Sequence, residues 1–115
     1  MEISLNTAVT EVASVLDVRG DVDFYSAPAL RERLTDLLEE GERPVIVDLS
    51  AVGFIDSTGL GALVAALNLA NERARTLSIV ANQDRVTKLF RITGLDGVFA
   101  ISDSVEGALA GVGEA

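Results

Sequence analysis

Pro44-Val45-Ile46-Val47-Asp48-Leu49 is the stretch on which the fold turns. Such a short, almost uninterrupted apolar run is typical of a strand covered on both faces, and it is expected to be the central strand of a sheet. Downstream, Ser50 to Ile55 leads to Asp56-Ser57-Thr58-Gly59, after which Leu60, Leu63, Val64 and Leu67 recur at helical spacing to about Arg73. Thr76 to Ala81 predicts another strand. Asp84 to Thr93 predicts a helix with Val86, Leu89 and Phe90 inward and Gly94 as its stop. Val98 to Ile101 predicts the last strand, and Asp103 with Glu106 three residues later resembles a capping box for a helix carrying Val105, Ala108, Leu109 and Val112.

Upstream, Leu30, Leu34, Leu37 and Leu38 mark an amphipathic helix ended by Gly41, with Ser26 as its candidate N-cap and Pro28 in its first turn. Ile3 and Leu5 alternate with Ser4 and Asn6, and Val12 to Arg19 forms a second alternating run, so the chain opens with two strands. Gly20-Asp21-Val22-Asp23 between them and the helix is expected to be a polar turn. The order ββαβαβαβα predicts a single α/β domain over 1–115, its mixed and mostly parallel sheet packed with helices. In such sheets functional groups gather beyond strand C-termini, which points to Gly20–Asp23 and Gly53–Gly59.

Composition narrows the function. Aromatics are only 4%, so the core is expected to be aliphatic, with Phe24, Phe54, Phe90 and Phe99 as its larger pieces. With no Cys and no His, neither a disulfide framework, a usual zinc site nor a Ser-His-Asp or Cys-His nucleophile can be assembled. No secretory signal opens the chain, and no apolar run reaches the roughly 20 residues that span a bilayer, so a cytoplasmic protein is expected. The net charge of −9 is uneven: residues 1–57 carry 12 acids against 4 bases. That field disfavours nucleic acid and anionic membrane, and favours a protein partner with a basic patch.

Several chemistries fail on the residues present. Ile55 to Gly59 faintly resembles an aspartic protease loop, but an extra residue intervenes and no second copy exists. Gly59-Leu60-Gly61 has Val64 where a dinucleotide fingerprint needs a third small residue, which leaves nucleotide hydrolysis there poorly supported. A receiver domain needs a lysine on a late strand, whereas Lys88, the sole lysine, falls in the third helix. Asp56 and Ser57 have two readings: plain helix capping, or a regulated serine at a helix start. Ser57 to Asn71 carries no charge, which fits either a wholly buried helix or a smooth contact surface through Gly61, Ala65 and Asn68. Gly20–Asp23 is either a solvated turn or an acidic neighbour of Ser57.

The runs Val45–Ser50 and Val52–Gly61 resemble the signature of the STAS domain, specifically the free-standing bacterial anti-sigma factor antagonists. Gly20-Asp21-Val22-Asp23 is similar to that family's Gly-Glu/Asp-x-Asp loop, and Gly94-Leu95 with Phe99 matches its later part. The resemblance implies a domain that works by partner switching; a non-enzymatic chain without cofactor or metal, monomeric on its own, is expected. Unphosphorylated, it would bind an anti-sigma factor that is also a serine kinase, freeing the sigma factor. The kinase would phosphorylate the serine that aligns with Ser57, and a metal-dependent serine phosphatase would restore it. Asp23 aligns with a loop acid that contacts the kinase, Asp21 stands where Glu is common, Asp56 and Thr58 flank the phosphosite, and Gly59, Leu60 and Gly61 complete the implied contact. The alternative within the family is a scaffold or sensor component of a larger stress-signalling assembly.

Overall fold

A computed structural model describes residues 3–113. Its elements are β1 (Ser4–Val9), β2 (Ser14–Val22), α1 (Ala27–Glu39), β3 (Val45–Ile55), α2 (Ser57–Glu72), β4 (Leu77–Val80), α3 (Asp84–Ile92), a 3-10 turn (Leu95–Gly97), β5 (Ala100–Ser102) and α4 (Val105–Gly113). The sheet order is β1-β2-β3-β4-β5, so β3 is the central strand as its composition predicts. β1 runs antiparallel to β2, and every other pairing is parallel.

Strand alternation divides the apolar side chains between two layers. Leu16 and Val18 of β2, Val45, Val47 and Leu49 of β3, and Ile79 of β4 meet Leu30, Leu34 and Leu38 of α1, Leu60 and Leu63 of α2, and Val86 and Phe90 of α3. On the other face Val15, Ile46 and Val80 meet Ala108, with Val105, Leu109 and Val112 of α4 alongside. Each fully buried Leu, Ile or Val contributes about 1.5–3 kcal/mol relative to exposure, so the larger, three-helix layer supplies most of the cohesion. Phe90 and Phe99 join it edge to face, with centroids 5.8 Å apart.

Several expectations are corrected. Gly20 to Val22 is not a turn: β2 continues through it to a fully buried Val22, and the chain leaves the strand only at Asp23. Its pairing with β3 slips between Asp17 and Arg19 and again between Gly20 and Asp21, and Gly20 sits at φ 102°, which a residue with a Cβ rarely adopts. Likewise Gly53 to Ile55 is strand, not loop. Phe24 and Phe54 are not core pieces; they are 67% and 41% exposed. Ser26 precedes α1 without capping it, its hydroxyl being spent on the strand end described below. At α4 the capping oxygen is Ser104 Oγ, which accepts from the Gly107 amide at 3.0 Å, so Asp103 and Glu106 do not form the expected box.

Candidate functional site

β2 and β3 end side by side, with Asp21 opposite Phe54 and Val22 opposite Ile55. The Asp56 amide donates to Val22 O at 3.1 Å, which ties the start of α2 to the end of the neighbouring strand. Asp56 itself is extended (φ −104°, ψ −174°), and its Oδ1 accepts from the Thr58 and Gly59 amides at 2.9 and 3.0 Å. This is an N-cap that satisfies two of the orphan donors of α2. The main-chain oxygen of Asp56 accepts from the Leu60 amide at 3.0 Å. Of the first amides of α2, only that of Ser57 lacks an acceptor among the described residues.

The end of β2 is built the same way. Asp23 Oδ1 accepts from the Tyr25 and Ser26 amides at 2.9 and 3.0 Å, again two and three residues on. Ser26 Oγ closes the turn, donating to Asp21 O at 2.7 Å and accepting from the Asp23 amide at 2.9 Å. The Ser26 amide, chiefly, holds the Asp23 carboxyl below its ordinary pKa, so Asp23 is charged throughout the neutral range.

The two turns meet because Gly59 allows it. A Cβ on Gly59 would lie 2.6 Å from Val22 Cγ1, 2.8 Å from Ile55 Cγ1 and 2.9 Å from Val22 O, all inside van der Waals contact. The end of β2 and the start of α2 are thereby brought together. Ser57 and Thr58 are exposed; Asp21, Asp23 and Asp56 are partly so. Gly61 is also exposed and, with Thr58, Ala27, Pro28, Ala62 and Arg31, lines a groove between the starts of α1 and α2. Gly59 and Leu60 are buried, so their part is to set the surface from beneath.

The uncharged run of α2 has a mixed explanation. Gly59, Leu60, Ala62, Leu63, Ala66 and Ala70 are buried under α1 and on the sheet, while Gly61 and Asn68 form a narrow exposed strip and Ala65 is half-buried. Two site features escaped the sequence reading. One is Ser26, whose bonds depend on the chain leaving β2 only at Asp23. The other is the Phe24–Tyr25 pair, which stands in solvent edge to face with centroids 5.4 Å apart. A signal for it existed: two adjacent aromatics between Asp23 and Ser26 in a tight connection cannot both turn inward. Among the described residues no helix is long and apolar enough to cross a membrane.

The chain resembles known proteins over nearly its whole length. The STAS domain family model matches residues 4–108. An anti-sigma-B factor antagonist of Staphylococcus aureus (strain NCTC 8325 / PS 47) is 34% identical over 106 residues, covering 92% of this chain and 98% of that protein. The crystal structure of an anti-sigma factor antagonist from Mycobacterium paratuberculosis superposes with a TM-score of 0.89 at 28% identity, over 96% of this chain and 93% of that one. The Bacillus cell fate determinant SpoIIAA in its phosphorylated form shares the fold, with a TM-score of 0.72 at 19% identity over 95% and 99% of the two chains. By its family match and by its identity to a relative across nearly its full length, the chain belongs to the STAS domain family.

Proposed function

We propose that this chain is an anti-sigma factor antagonist, a regulatory binding protein and not an enzyme, switched by phosphorylation of Ser57. Unphosphorylated, it binds an anti-sigma factor serine kinase through Asp21, Asp23, Asp56, Thr58 and Gly61, shaped from beneath by Gly59 and Leu60, and the sigma factor is released. The kinase phosphorylates Ser57, and a metal-dependent serine phosphatase reverses the step. The cycle runs in the cytoplasm, with the antagonist monomeric between partners. The relatives named above as antagonists support this reading, and one fold neighbour is described in a phosphorylated form.

The observation that carries it is the position of Ser57: exposed, first in α2, next to the Asp56 carboxylate that main-chain amides hold in place, and at the sheet end where β2 finishes in Asp23. A phosphate there adds about −1.5 to −2 charges at neutral pH. The Thr58 and Gly59 amides already serve Asp56, so the phosphate finds only the Ser57 amide and the helix dipole, and it stands next to a like charge. Nothing buried has to move, so the fold survives. A kinase packed over position 57 would have to desolvate the new dianion beside Asp56 and against the phosphates of its own bound nucleotide, a cost of several kcal/mol for a buried ion left unpaired.

The test is incubation of the purified chain with the purified anti-sigma factor kinase of the same organism and ATP, with mass-spectrometric mapping and a binding isotherm. Phosphate maps to Ser57, Ser57→Ala binds as wild type but ignores ATP, and Ser57→Asp binds at least about tenfold more weakly, the effect of roughly 1.4 kcal/mol. Phosphate on another residue, or undiminished binding by Ser57→Asp, sinks the reading.

A further inference from the structure

We propose that Phe24 and Tyr25 form the apolar anchor of the contact that Ser57 controls, seating in an apolar pocket rimmed by Arg or Lys side chains on the anti-sigma factor. The inference rests on the function proposed above and adds to it the residues that supply affinity and partner choice.

The chain has five aromatic residues, four Phe and one Tyr. Phe90 and Phe99 are buried in the core. The other three, Phe24, Tyr25 and Phe54, are exposed at the end of the sheet where β2 and β3 finish beside Ser57. Tyr25 is 88% exposed and Phe24 67%, so neither contributes much to the fold. A scattered apolar residue on a surface is ordinary, but an adjacent, mutually packed aromatic pair is not. Aromatic side chains are enriched among the few residues that dominate binding energy at protein interfaces.

The pair is also held still. The Tyr25 amide donates to Asp23 Oδ1, the Ser26 amide donates to the same oxygen, and the Ala27 amide donates to Asp23 O at 2.8 Å. The rings pack against each other edge to face. A rigid aromatic projection loses little conformational entropy on binding, which is what an anchor requires.

Charge identifies the occupant. Asp21 and Asp23 precede the pair and Asp56 follows the neighbouring strand end, three acids against one base, Arg31, which lies in the groove between α1 and α2; Arg19, further back on β2, pairs with Asp17 at 2.9 Å. A pocket that receives the rings therefore meets a carboxylate rim and is matched by cationic side chains. Anchor and rim then divide the work: the rim steers encounter and is sensitive to salt, whereas the rings govern residence time.

The experiment is surface binding of the purified full-length chain to the purified anti-sigma factor kinase of the same organism, across a salt series. Because the two side chains are exposed, Phe24→Ala/Tyr25→Ala keeps the wild-type melting temperature. Its affinity falls by at least about 30-fold, as for loss of a pair of interface hot spots, almost wholly through faster dissociation and with the salt slope unchanged. Phe24→Trp/Tyr25→Phe restores binding. Asp21→Asn instead slows association and flattens the salt slope. Binding by the alanine variant within twofold of wild type, with Ser57→Asp still disruptive, overturns the anchor and leaves the function reading standing. Failure of the wild-type chain to bind removes both. Concentration-dependent dimers abolished by the alanine variant, with kinase binding intact, would show that the pair serves a second copy of this chain and also overturn the proposal.

Discussion

The two ends of the sheet are closed by opposite electrostatics. At the Ser57 end, carboxylates of Asp23 and Asp56 receive main-chain amides at the places where strand becomes helix. At the other end, where α1 finishes and β3 begins, a guanidinium receives main-chain carbonyls. Arg75 Nη1 donates to Leu37 O at 2.7 Å and to Glu40 O at 3.0 Å, and Nη2 donates to Arg43 O. Asp56 and Arg75 use a side-chain charge to satisfy the unpaired groups of a helix end, an acid at the N-terminus of α2 and a base at the C-terminus of α1, while Asp23 serves the turn that precedes α1. The difference lies in what is left over. Arg75 is half-buried and commits its two terminal nitrogens to carbonyls of the last turn of α1 and of the connection to β3, whereas the acidic end leaves Ser57, Thr58 and the aromatic pair in solvent. One end is spent on stability; the other keeps its surface in solvent.

Substitutions can break or sharpen that division. The largest effect is expected from Arg75→Ala, which strands carbonyls at the end of α1 and should cost about 3 kcal/mol, since bonds to charged groups contribute roughly 1.5–3 kcal/mol each. The melting midpoint should fall by about 10 °C or more, while capture of the kinase below that temperature stays at the wild-type level. Weakened capture by the folded variant would mean that the ends are not separate in function. Gly59→Ala comes next: the new methyl group meets Val22 and Ile55, and forcing α2 away from β2 should cost about 2 kcal/mol. Unlike Arg75→Ala, it should lower stability and partner affinity together, measurable by urea unfolding and a binding isotherm on one sample.

Asp56→Ala removes a cap that serves two amides and should cost about 1 kcal/mol in the same unfolding measurement. The smallest effect concerns acid. The Asp23 carboxyl titrates below its ordinary value in the folded chain, so its contribution is complete above the unfolded pKa of about 3.9 and is lost as pH falls through the lower folded value. The stability gap between wild type and Asp23→Asn should therefore be constant above about pH 5 and close below about pH 4. A gap that widened in acid would contradict the hydrogen bonding described at the β2 turn.

Periodicity made the element order legible because α1 and α2 bury leucines at helical spacing and the inner strands β3 and β4 are mostly apolar. What it could not convey was register. Gly20 and Asp21 have turn-like chemistry, yet pairing with β3 and a bulge keep them in the strand, so a tertiary contact overrode a local preference. The same extension of β2 and β3 shortened the expected loops and left Phe24 and Phe54 outside the core. Asp56 and Ser57 were readable since a polar cap before an apolar helix is a local pattern. The carbonyl-binding role of Arg75 was not, because Leu37, Glu40 and Arg43 come to it from 32 to 38 residues away along the chain.

The clasp between Gly59 and Val22 has a mechanical consequence. With helix and strand in direct contact and the Asp56 amide bonded across them, the first turn of α2 and the end of β2 have no hinge between them. On the proposed function, a docking protein would grip a single stiff jaw, and a group attached at position 57 would be sensed through its field and bulk on that jaw, with no lever arm carrying news to the far side of the molecule.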